Sequence, residues 1–389
     1  MTKTSMRRLS WSEVSARRLE RHGLMMPSRD AQPADLVGAI CGAHAQVMSA
    51  AELSIGVRSA DTTQADVREA LWTERSLVKT FGPRGTVHLL PTRDLPMWTG
   101  ALSALPASAG NGRSGPALLS PGQIDIVVEA VADALADAEL TVDELTEAVV
   151  ERTGSWAGDP VMEAFQVKWP RWRWATDIAA NRGALCFGPN RSRKVTYTNP
   201  HRWLSGFRRT DGHTALAALV KRYLAAYGPA TPQHFAQWLA APRPWASELF
   251  DSLSGELERV DVDGAVGWLP AGDTTPALTA PAGVRLLPYF DAYTVGFQPR
   301  ERLFPGRAAE RAMAGGQAGN FPVLLIDATV AGVWHQRRSG RKLDITVEPF
   351  DALTAAQRRG LDDQVNRIGQ FFGATPRLTI GTVTAGAHA

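Results

Sequence analysis

Cysteine is nearly absent from this chain. Cys41 and Cys186 are the two present in 389 residues, and each sits inside an apolar run. Both read as small buried hydrophobes, which excludes a disulfide framework and a cysteine-rich metal site. Long apolar runs are missing as well: no stretch reaches the ~20 residues of a membrane helix. Residues 1–24 are cationic and amphipathic, without the apolar core of a secretory signal. A cytoplasmic protein without a membrane partner is expected. Charge of one sign is not in large excess, with a net charge of +3 and an isoelectric point of about 9.0. That balance is compatible with a polyanion partner but does not require one. His, Cys, Asp and Glu never cluster at metal-ligand spacing, which disfavours a nuclease or metalloenzyme and predicts no metal or other cofactor.

What is present describes an ordinary globular protein, 44% hydrophobic and 21% charged, long enough for two to four domains with sizeable cores. Residues 1–30 carry Lys3, Arg7, Arg8, Arg17, Arg18 and Arg21 beside Trp11, Val14, Leu19 and Leu24. They read as a basic arm on DNA or as a helix with a solvated face. Leu36, Val37, Ile40 and Ala43 then sit at helical spacing, and a second apolar-periodic run covers 50–58. Between the two lies His44-Ala45-Gln46. An extended turn there would point His44 and Gln46 the same way and lodge two water-binding groups between helices. The plainer reading is a helix-end histidine and a surface glutamine.

Thr62 or Thr63 is suited to cap a helix over 65–71. Leu77–Leu90 reads as a hairpin about Gly82, Pro83 and Gly85, with Arg84 and His88 on it, and helices followed by a basic hairpin suggest a winged helix. Ser108–Pro121 is rich in Ser, Gly and Pro and reads as a loop. An amphipathic helix over 123–135 should bury Ile124, Ile126, Val127, Val131 and Leu135. Thr141-Val142-Asp143-Glu144 is a capping box for the next helix. Phe165–Trp174 is the densest basic and aromatic stretch. Lys168, Arg171 and Arg173 with Trp169, Trp172 and Trp174, followed by Arg191, Arg193 and Lys194, can neutralise phosphates and stack bases. Equally, the tryptophans can be core and the cations merely flank them.

A helix over 215–226 and another through Leu239 precede a hairpin, Leu257–Val262 and Ala265–Leu269, joined by Asp263-Gly264, a favoured type I′ pair. Helix, helix, hairpin thus recurs three times, by order of elements rather than by a fixed period. The last third is β-rich and closes on a helix over 353–372. The expected architecture is α+β: three tandem winged-helix units at 1–115, 116–208 and 209–272, then a β-rich region at 273–389.

By this point three spaced motifs carry a family likeness. Leu286-Leu287-Pro288-Tyr289-Phe290-Asp291-Ala292-Tyr293-Thr294-Val295-Gly296, with Arg302 beyond, resembles a signature of the AlkZ/YcaQ-type winged-helix DNA glycosylases. The run at 77–89 and Tyr227-Gly228-Pro229-Ala230-Thr231 do so too, and the resemblance extends from about Leu9 to Phe350. It implies tandem winged helices and hydrolysis of the N-glycosidic bond of bulky N7-alkylated purines, crosslinked ones included. The family's catalytic Gln-x-Gln or Gln-x-Asp pair falls on His44-Ala45-Gln46, where the second position matches and the first departs. That His-x-Gln form resembles glycosylases that protect producers of DNA-alkylating antibiotics.

The chemistry suits so sparse a site. A guanine alkylated at N7 is already cationic and leaves without protonation, so the remaining task is to place a water beneath C1′. Gln46 would orient that water, and His44, with an unperturbed pKa of ~6.5, would accept its proton or supply a second contact. No lysine adjoins the pair, so monofunctional hydrolysis is expected. Asp291 either supports the site electrostatically or caps a turn near Tyr289 and Tyr293. Bulky adducts favour a broad basic cleft over a deep base-flipping pocket. The expected partner is double-stranded DNA bearing bulky alkyl adducts, bound by a monomer that is nucleoid-associated while on DNA. The competing class is a non-catalytic DNA-binding module, a regulator or an adduct-sequestering protein.

Overall fold

The computed structural model describes residues 6–109, 117–164, 167–274 and 280–388. Helices and strands are mixed along the chain, an α+β fold. It divides into two compact units, one of residues 1–68, 220–238 and 243–389, the other of 69–219 and 239–242. Among the described residues, no helix is long and apolar enough to cross a membrane.

The first unit opens on a strand that sequence reading did not anticipate. Arg7–Leu9 runs parallel to Leu257–Val262, which pairs antiparallel with Ala265–Pro270. Asp263 and Gly264 both adopt positive φ in the connecting turn, as a type I′ turn requires. Ser10 then caps the helix Trp11–Arg21 in a capping box with Glu13. Neither a free basic arm nor a simply solvated helix describes this segment. Arg7 pairs with Glu258, Arg17 and Arg21 converge on Asp273, and Arg18 is buried, donating to the carbonyls of Gln298 and Pro229 at 2.6 and 2.8 Å.

The β-rich region of this unit is one five-stranded sheet. Val284–Leu287, Val323–Ile326, Thr329–Ser339 and Lys342–Pro349 form an antiparallel meander. Thr375–Ile380, to which sequence reading assigns nothing, then adds in parallel beside Lys342–Pro349. A parallel neighbour needs a crossover, and the helix Ala355–Phe372 supplies it, capped by Thr354 with Gln357 and stopped by Gly373 in the left-handed region. Leu361, Val365, Ile368, Phe371 and Phe372 are its buried residues. Phe371 lies so close to Gly56 that a side chain there would overlap its ring, and Arg367 donates to the Gly56 carbonyl at 2.8 Å.

In the second unit the hairpin pairs Leu77–Phe81 with Val87–Pro91 as expected. The helices Pro121–Leu135 and Val142–Thr153 follow, the latter with the anticipated Thr141–Glu144 capping box. One expectation fails: Ile126 is 48% exposed. The buried face is made by Val127, Val128, Val131 and Leu135, and Ile126 lies one residue, about 100°, off that stripe. Lys194–Thr198 sits between Glu139–Thr141 and Cys186–Arg191 in a three-stranded sheet. Trp172 is fully buried within this unit's core, among Val131, Leu145, Leu185 and Tyr197. Part of the expected Ser108–Pro121 loop, residues 110–116, lies outside the described residues, as do Phe165 and Gln166; Pro121 itself opens a helix.

Candidate active site

The segment bearing the His-x-Gln pair is built from two short helices and a reversal. Pro33–Ala39 is helical, with proline at its first position and Leu36 and Val37 buried. It ends at Ile40. Cys41 and Gly42 then both take positive φ, 58° and 103°, and the Gly42 N–H donates back to the Val37 carbonyl at 2.9 Å. This sharp turn delivers a two-residue strand, Ala43–His44, and Met48–Gly56 resumes helix four residues later. Ala43 and Ala45 are buried, and so is most of the second helix. Regular strand ends at His44 and a bend follows at Gln46, so alternation does not carry through the pair. His44 is 8% exposed, whereas Gln46 is exposed.

What fixes this segment comes from the other end of the same unit. Asp291 is wholly buried and forms a two-pronged ion pair with Arg58, each of two guanidinium nitrogens donating at 2.8 Å. The Ser54 hydroxyl donates to the same carboxylate at 2.7 Å, and the Tyr293 N–H at 2.9 Å, so Asp291 also caps the short helix Ala292–Gly296. Burial alone would raise this carboxyl group's pKa. The Arg58 cation and the hydrogen bonds outweigh it and hold the pKa below the ordinary value. One residue earlier, Phe290 is held at φ +54°, an uncommon conformation for a bulky side chain. Its N–H donates to the Gly319 carbonyl at 2.8 Å, and its ring faces the His44 imidazole with centroids 4.7 Å apart.

The result is a closed mechanical circuit. Chain runs from His44 through Gln46 and the helix Met48–Gly56 to Arg58, the ion pair crosses to Asp291, and Phe290 returns to His44. Sequence reading missed Arg58, Ser54 and Phe290. A cation ending an otherwise apolar helical run was the available signal for Arg58, since such a charge is buried only when paired. Behind the pair, His22 is enclosed, its ring 4.9 Å from that of Tyr227 and 5.4 Å from that of Tyr293. Burial, reinforced by Arg58, pushes its pKa down to about 3, so it stays neutral near neutral pH.

The family model for AlkZ-like DNA glycosylases matches residues 37–371. The chain belongs to this family. The glycosylase is similar to an interstrand DNA cross-link repair glycosylase of Streptomyces sahachiroi, 31% identical over 388 residues, which span 96% of this chain and 99% of the relative. Its fold is similar to the solved structure of Streptomyces sahachiroi DNA glycosylase AlkZ, with a TM-score of 0.81 and 27% identity over 96% of this chain and all of the other.

The other residues singled out as DNA contacts lie in the glycosylase's second unit, and four of the eight, Lys168, Arg171, Arg191 and Lys194, are tied to carboxylates. Lys168 is exposed and pairs with Glu163 at 3.0 Å, Arg191 with Glu144 at 2.9 Å and Lys194 with Asp143 at 2.8 Å. Arg193 is exposed beside them. Arg171 is half-buried and bridges the Trp156 and Leu118 carbonyls and the Asp159 carboxylate. Arg173 lies over the Trp169 ring, 3.6 Å from its centroid. Arg84 occupies the hairpin turn at φ +63°, half-buried, while His88 is buried with Nδ1 2.9 Å from the Thr86 carbonyl oxygen. A phosphate approaching Lys168, Arg191 or Lys194 would compete with acidic partners already in place.

Proposed function

We propose that this glycosylase is monofunctional and hydrolyses the N-glycosidic bond of bulky N7-alkylated guanines in duplex DNA, interstrand crosslinks among them. Its cellular role on this reading is self-resistance to a DNA-alkylating natural product. Support comes from one juxtaposition: a His-x-Gln pair at the position of the family's catalytic motif, one partner sheltered against Phe290 and the other open to solvent. Exposed Gln46 orients a water towards C1′ with its amide. The water oxygen forms the new bond to C1′ as the C1′–N9 bond breaks. The bonding pair passes into the purine and cancels the charge that N7 alkylation put there. His44 takes the proton the water gives up, or a second water does. The leaving group needs no acid, so a pair with one weak base is sufficient, general base work contributing ~10²–10⁴-fold.

The test is release of free base from a duplex carrying one N7-alkylguanine, under single-turnover conditions, with an unmodified duplex and a crosslinked one in parallel. Expected are an abasic site in an unbroken strand from the adduct and no release from unmodified guanine. Binding of the adduct without any base release would assign the protein to adduct sequestration instead.

A further inference from the structure

The segment that follows the last strand comes back to the candidate active site. The Gly381 N–H donates to the Val347 carbonyl at 2.9 Å, and the Val383 N–H to the Glu348 carboxylate at 2.8 Å. Arg311 binds that same carboxylate through two nitrogens and donates to the Val383 carbonyl at 2.7 Å. Farther on, one residue holds His388 by both of its backbone groups. The His388 N–H donates to the Asn320 carbonyl at 2.9 Å, and the Asn320 side-chain amide donates to the His388 carbonyl at 2.8 Å.

Asn320 follows Gly319, which accepts the Phe290 N–H. One dipeptide therefore grips Phe290 with its first residue and His388 with its second. Gly319 is at φ +102°, and an added Cβ would come within 2.8 Å of Val295 and 3.1 Å of the Phe290 ring, so no other residue fits there unstrained. The His388 imidazole stands edge-on to both neighbouring rings, 5.5 Å from Tyr289 and 5.4 Å from Phe290. Such edge-to-face contacts fix ring orientation. Phe290 needs that fixing, because its side chain is only half-buried while the same ring packs against His44.

We infer that His388 is a positioning residue of the active site, holding the Phe290 ring and through it the His44 imidazole in the orientation used for hydrolysis. This rests on the proposed assignment of His44, and the test separates the two. His388→Ala removes the ring, Asn320→Ala removes one of the two hydrogen bonds that hold its backbone, and His388→Phe restores an aromatic ring. Each is measured by single-turnover base release, by DNA affinity, and by the ring-current shift of the His44 C–H protons in NMR, identified by their loss in His44→Gln. In both alanine variants the His44 protons should move and excision should slow by about 10- to 100-fold, the cost of a misplaced group, with affinity unchanged. His388→Phe should recover both. His44 protons that stay in place in both alanine variants, an unchanged excision rate, or no recovery in His388→Phe would each overturn the inference. Wild-type enzyme that releases no base would remove the functional reading, and the NMR shifts would still decide the positioning.

Discussion

Replacing Asp291 with asparagine should be among the most damaging single changes in the molecule. The substitution is nearly isosteric, so its cost is electrical. It removes the charge facing Arg58, a cation whose side chain is 1% exposed. Breaking a buried pair by removing one partner costs about 3–5 kcal/mol, because the remaining charge stays desolvated. At about 2–4 °C per kcal/mol for a unit of this size, the melting midpoint should fall by roughly 6–20 °C, and urea unfolding should show the same loss. Arg58→Met combined with Asp291→Leu should recover much of it, since no charge is then stranded. The sign with pH follows from the depressed carboxyl pKa. The pair's contribution is complete above the ordinary Asp value of 3.8 and is lost as pH falls below it through the folded-state value. A loss under about 1 kcal/mol for Asp291→Asn, within the range of ordinary exposed pairs, would refute the circuit described for this site.

Other expectations concern chemistry, DNA and protonation. Gln46→Ala should abolish base release from an N7-alkylguanine duplex while a binding titration on the same duplex changes little; normal excision would remove Gln46 from the mechanism. If His44 accepts the proton, wild-type single-turnover rates should fall as pH drops through the imidazole range, and His44→Gln should keep some activity without that dependence; a flat wild-type profile with an active His44→Ala enzyme excludes the base role. Arg84→Gln and Arg193→Gln should each lower the slope of log K against log salt by about 0.9 for a lost phosphate contact; two unchanged slopes would put the DNA elsewhere. His22 stays neutral when folded to about pH 3 but ionises near 6.5 when unfolded, so stability should decline as pH falls from 6.5, by at most ~1.4 kcal/mol per pH unit. His22→Phe should flatten that decline in denaturant melts, and an unaltered slope would mean the ring is not sealed from water.

Local structure was legible wherever a short-range rule decides it. The Thr141 cap, the Asp263-Gly264 turn and the closing helix of the last third follow from side-chain chemistry within a few residues. What escaped is set by partners far away in the chain. Arg7–Leu9 looks like part of a basic segment until Leu257–Val262 is beside it, 250 residues on. Arg18 reads as a solvated charge, yet it is buried because two distant carbonyls accept from it. The candidate pair itself was visible as two polar residues between apolar helices. Its supports were not, because no local pattern joins residue 58 to 291 or 319 to 388. Ile126 was misplaced for a different reason: four apolar residues in five leave helical phase ambiguous, and only the core selects which of them turn inward.

The Cys41-Gly42 reversal has a consequence for how such an enzyme diversifies. Main chain at 43–46 is set by that turn, by the buried methyl groups of Ala43 and Ala45, and by the helix that follows. None of these supports uses the side chain at 44. A change of side chain at 44 therefore leaves these backbone supports standing, and what it alters is the ring contact with Phe290.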